Sequence, residues 1–141
     1  MKQSAFILFA SFCGSIVVPS LSAVPPPMGE YYDDPDGDVS GKLTFYPDYI
    51  LNIHVNLYGC AISVSGVKYS QLIHVGMMNY KFTISYAGTD LAKQINACKS
   101  SEITIKDFDK PLLYTYRTIE PKRNSITTSW GPTTGLFFHE N

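Results

Sequence analysis

Apolar and polar residues alternate along most of the chain beyond residue 50. Leu51, Ile53, Val55 and Leu57 are interleaved with Asn52, His54, Asn56 and Tyr58, the period of a strand with one buried and one wet face. Tyr80, Phe82, Ile84 and Tyr86 alternate with Lys81, Thr83 and Ser85 in the same way. Shorter runs of this period occur at Ile62/Val64, Ile73/Val75/Met77, Ile103/Ile105, Leu112/Tyr114/Tyr116 and Ile126/Thr128/Trp130, and residues 135–139 (Gly-Leu-Phe-Phe-His) form a last candidate strand. Tyr58-Gly59, Ser65-Gly66, Ala87-Gly88, Asp109-Lys110-Pro111 and Trp130-Gly131-Pro132 punctuate them as turns.

One segment departs from the strand period. Thr89 or Asp90 can cap a short helix over 89–98, with Leu91, Ile95 and Cys98 on one face. At about ten residues, such a helix needs a sheet to pack on. The pattern predicts a mainly β fold: a small antiparallel β-sandwich of about six to eight strands, with one short helix and one disulfide.

The N-terminal end reads differently. Lys2 precedes a mostly apolar run from Ala5 to Val18, followed by Pro19 and the small residues Ser20-Leu21-Ser22-Ala23. This is the layout of a secretory signal peptide over 1–23, cleaved after Ala23, with a retained signal anchor as the competing reading. The run falls short of the roughly 20 residues of a membrane span, and no later segment approaches that length. Residues 24–50 then carry Glu30 and Asp33, 34, 36, 38 and 48 against Lys42 alone, a charge of −5, whereas 51–141 carry nine basic and six acidic groups, or +3. Residues 24–40, which include Val24-Pro25-Pro26-Pro27, are expected as an acidic, Pro-rich disordered leader, and 41–139 as the single ordered domain.

Cleavage removes Cys13 and leaves Cys60 and Cys98. An even count in a secreted chain reads as one disulfide, the alternative being two free thiols. Near-neutral net charge (−1 over 141 residues) gives no basic footprint for DNA.

Candidate chemistry is sparse. The stretch 36–43 (Asp-Gly-Asp-Val-Ser-Gly-Lys-Leu) has the oxygens and sixth-position glycine of half a calcium loop, but Pro47 stands where the closing glutamate belongs, so it reads as an acidic turn. His54, His74 and His139 lack the paired spacing of a helical zinc motif. His54 and His74 occupy the polar positions of their strands. There is no Gly-x-Ser-x-Gly elbow and no Gly-rich phosphate loop, so no cofactor or metal is expected.

A signal peptide, a body near one hundred residues, short strands and one disulfide resemble secreted effectors of plant-pathogenic fungi. Over roughly 50–119, Cys60 after a first strand and Cys98 before a later one look like the disulfide placement of the MAX effectors, which are six-stranded β-sandwiches. Tyr58-Gly59-Cys60, Tyr69-Ser70, the segment 108–113 (Phe-Asp-Lys-Pro-Leu-Leu) and the segment 135–139 resemble instead the RNase-like effectors and small guanyl-specific fungal ribonucleases. That second resemblance implies an α+β fold, with Asp109 as catalytic carboxylate, Arg123 as phosphate-binding arginine and His139 as general acid. Cleavage of RNA requires such a base and acid.

The expected function is a secreted, non-enzymatic virulence effector that binds a host protein and modulates host immunity, with no membrane span, no DNA partner, and RNA as a partner only under the ribonuclease alternative. A second alternative is an extracellular structural or ligand-binding protein. Exposed strand edges recruit partner strands through main-chain hydrogen bonds, and the strands at 50–58 and 80–87 are the first candidates for such an edge.

Overall fold

A computed structural model describes residues 24–120 and 122–140. The expected signal segment 1–23 lies outside the described residues. Among the described residues ten strands form one antiparallel sheet, curled as a half-barrel. They are β1 (Gly29–Asp33), β2 (Val39–Tyr46), β3 (Ile50–Leu57), β4 (Cys60–Tyr69), β5 (Ile73–Gly76), β6 (Asn79–Phe82), β7 (Ile84–Ser85), β8 (Leu112–Thr115), β9 (Ser125–Thr128) and β10 (Gly135–His139). Their order is β5-β6-β8-β9-β10-β1-β2-β3-β4-β7. Among the described residues the mainly β, antiparallel character, the one short α-helix and the disulfide are as the sequence indicates.

The run from Tyr80 to Tyr86, continuous in its alternation, is divided between two neighbours. β6 pairs with β8, and after Thr83 the chain pairs as β7 with β4 through Tyr69↔Ile84 and Lys68↔Ser85. Ser70 N–H donates to the Thr83 carbonyl (2.8 Å), and Thr83 N–H donates to Ser70 Oγ (2.9 Å). One segment thereby joins opposite flanks of the sheet, which curls until those flanks face each other across a common core. Phe82 of β6 meets Phe45 of β2 at 6.1 Å between ring centroids and Tyr69 of β4 at 5.2 Å, within the range of favourable aromatic packing.

The leader expectation is corrected at 29–40. β1 lies between β10 and β2, near the middle of the sheet, and its Tyr31 is buried against Phe45. Five carboxylates made this stretch look solvated, yet they occupy the outer face and the Asp33–Asp38 turn, while Tyr31 and Val39 supply the core. The ordered domain therefore begins before residue 41.

Ile103 and Ile105 are not a strand. Thr104 caps a 3-10 helix, Ile105–Asp109, through a reciprocal capping box with Asp107, and this local hydrogen bonding outcompetes extension. Its Phe108 stacks on Trp130 at 5.2 Å.

The helix α1 (Leu91–Cys98) buries Leu91 and Ile95 and lies beside β4. Cys98 is bonded to Cys60 at the start of β4. Gln94 donates through Nε2 to the Ser63 carbonyl (2.7 Å) and accepts Ser63 N–H at Oε1 (2.8 Å). Its side-chain amide thus occupies main-chain groups of β4 that β7, which reaches only Lys68 and Tyr69, leaves open.

Candidate functional site

The register separates the residues of the ribonuclease alternative. Asp109 ends the 3-10 helix, ahead of β8, whose Leu113 and Thr115 face Thr127 and Ser125. Arg123 precedes Ser125, so the whole of β8, at about 3.4 Å per residue, stands between it and Asp109. His139 shares the Arg123 end, where its N–H donates to the Asn124 carbonyl (3.0 Å). The two point to opposite faces, however. The His139 ring packs on buried Tyr31 at 5.0 Å, while the Arg123 guanidinium lies 4.4 Å over Phe138, the next residue along β10; neighbouring strand residues face opposite ways. Acid, base and phosphate ligand are not brought together.

The remaining candidates have structural partners. Tyr58 and Gly59 form the two-residue β3–β4 turn, both with positive φ (52° and 82°), as such hairpins demand. The Tyr58 hydroxyl donates to the Trp130 carbonyl (3.1 Å) and accepts Thr133 N–H (2.8 Å), so the Tyr-x-Cys element ties two loops together. His54 is exposed and shares a hydrogen bond with Ser63 Oγ across β3 and β4 (2.8 Å). Asp34 accepts Asp36 N–H at its side chain (2.9 Å) and Gly37 N–H at its carbonyl (3.3 Å), an acidic turn as expected. Among the described residues no cluster of His, Cys, Asp or Glu could hold a metal, and no helix is long and apolar enough to cross a membrane.

Strand order settles which edges are open. β3 runs between β2 and β4, and β6 between β5 and β8. Neither strand proposed as an edge is therefore one, apart from the short β7 extension of the second. On one flank β4 is covered by β7 and α1; on the other, β5 is the outermost strand.

β5 and β6 form a hairpin around the Met77–Met78 turn, with a bulge between His74 and Gly76. Ile73 is 55% exposed, Val75 48% and Met77 87%. His74 hydrogen-bonds the Met77 carbonyl through Nε2 (2.8 Å) and packs its ring on Tyr80 at 5.2 Å, which braces the tip. From Tyr69 to Tyr80 there is no Asp, Glu, Lys or Arg. Edge strands ordinarily carry charges that discourage pairing, and this one presents aliphatic and thioether groups to water instead. The other exposed large hydrophobic residues, Met28, Tyr46, Ile105, Ile119 and Leu136, lie on separate segments, and scattered exposure of that kind is ordinary. The uncharged run 69–80 is the sequence signal for this surface; alternation alone reads Ile73, Val75 and Met77 as one buried face.

No family model, curated protein or solved structure matches the chain.

Proposed function

We propose that the chain is a secreted effector that binds a host protein and thereby modulates host immunity without catalysis, and that the Ile73–Phe82 hairpin is its binding surface. The observation that carries this reading is the outermost strand β5, with Ile73, Val75 and Met77 exposed and no charged residue from Tyr69 to Tyr80, Lys81 lying across from Ile73 on β6. Exposed main-chain groups can pair with a partner strand, and the methionine side chains of the tip can adapt to an apolar partner surface. The separation of Asp109, Arg123 and His139 supports binding over RNA cleavage. Secretion rests on the signal-peptide pattern of 1–23.

Expression of the protein in plant tissue, with and without residues 1–23, tests the reading. Suppression of an induced immune response is expected from the wild type and not from a folded Val75→Lys/Met77→Lys variant. Equal suppression by both would move the binding surface elsewhere. Absence of suppression, together with unchanged pathogen growth after gene deletion, would overturn the effector role.

A further inference from the structure

The outer face of β1, β2 and β3 holds an open groove of about 480 Å³, distant in strand order from the β5 hairpin. Its floor is Ser40 and Gly41, and its walls include Tyr32, Lys42, His54 and Glu140. At Gly41, where φ is +121°, a Cβ would lie 2.3 Å from the His54 carbonyl oxygen of the paired strand, so β2 and β3 lie close together beneath the groove. Tyr32↔Lys42 and Lys42↔His54 are direct cross-strand partners, so phenol, ammonium and imidazole stand in one row.

That row is held in place before any ligand arrives. The Glu30 carboxylate accepts from the Tyr32 hydroxyl and from Lys42 Nζ (3.1 Å), and the ammonium lies 6.0 Å from the Tyr32 ring centroid. His54 is anchored through Nδ1 to Ser63 Oγ (2.8 Å), leaving Nε2 on the free side of the ring. Asp33, at the groove's end, accepts Leu136 N–H (3.0 Å). A volume of this size lies in the range of small-ligand sites, and fixed polar groups beside an aromatic ring give such sites their selectivity.

Charge narrows the ligand class. Glu30, Asp33 and Glu140 outnumber Lys42, so phosphates and carboxylates are repelled. Beside the Tyr32 ring stand a donor in Lys42, an acceptor in Glu140 and the imidazole of His54, which suits a molecule whose hydroxyls both donate and accept and whose C–H face is apolar. We propose that the groove binds a neutral saccharide, one sugar ring lying against Tyr32 with its hydroxyls reaching Lys42, His54 and Glu140. This site is independent of the protein-binding hairpin.

Amide-resolved NMR titration of the isotope-labelled mature protein tests it. The probes are cellohexaose, the N-acetylated chitin hexamer, its deacetylated cationic form and an oligogalacturonate anion. A neutral oligosaccharide is expected to shift the amides of Ser40–Lys42 and His54, and Tyr32→Ala to weaken that binding about tenfold. Lys42→Met, which removes one hydrogen-bonding wall and leaves the ring, is expected to weaken it less. No shift with either neutral probe, shifts with the charged probes alone, or affinity unchanged in both variants would overturn the proposal.

Discussion

The side-chain amide of Gln94 hydrogen-bonds both main-chain groups of Ser63, so a helix residue takes the place of a neighbouring strand on β4. Gln94 also donates to Asp90 Oδ1 (2.7 Å) at the helix start, which holds the amide in the required plane. Gln94→Ala is expected to lower unfolding stability by about 1–3 kcal/mol, the loss of two hydrogen bonds that leaves Ser63 open. Gln94→Glu should cost more, because a carboxylate then faces the Ser63 carbonyl. Urea unfolding of both variants measures the difference, and equal stability of all three proteins would contradict the role assigned to Gln94.

The Cys60–Cys98 bond fastens the same helix at its other end. It closes a separation of 38 residues, for which chain entropy gives about 4 kcal/mol of stabilisation. A Cys60→Ala/Cys98→Ala variant should unfold at correspondingly lower denaturant. Amide exchange should rise first in α1 and in the part of β4 that it covers, since helices this short do not persist unpacked.

Buried tyrosines set the alkaline limit of the fold. Burial pushes the hydroxyls of Tyr31 and Tyr69 up to about 12, and those of Tyr86 and Tyr114 higher still. Each is raised above its unfolded value near 10, so the stability it contributes is complete below about pH 10 and is lost as pH climbs through the folded value. Tyrosinate absorbance from these four residues should therefore appear only together with loss of tertiary circular dichroism. Ionisation of all four near pH 10 with the fold intact would contradict this.

Among the described glycines, Gly41 has the closest approach to neighbouring backbone. Its Cβ would meet the His54 carbonyl oxygen at 2.3 Å and Val55 Cα at 2.7 Å, at a φ of +121°. Gly41→Ala is expected to destabilise by about 2–4 kcal/mol, read as a drop in melting temperature. A neutral effect would mean that β2 and β3 can separate without cost.

Alternation revealed β3, β8, β9 and β10 because each buries one face against a single core. It misled where neighbours decide the outcome. Tyr80–Tyr86 keeps its period while changing partners at Thr83, and a period carries no information about partners. β1 was hidden because Asp33, Asp34, Asp36 and Asp38 dominate the local composition, although Tyr31 alone anchors it. The disulfide was legible from the cysteine count and the expected secretion. The open edge was not, since strand order depends on long-range pairing; only the absence of charge from Tyr69 to Tyr80 marks it in the sequence.

Capture of host proteins from plant extract by the immobilised mature protein, compared with the Val75→Lys/Met77→Lys variant, tests the central claim most directly. Both substitutions fall on exposed positions, so circular dichroism and melting temperature should match the wild type. The account predicts a host protein retained by the wild type, lost with the variant and cross-linked through the Ile73–Phe82 hairpin. Retention of the same protein by the folded variant, with cross-links elsewhere on the sheet, would contradict it.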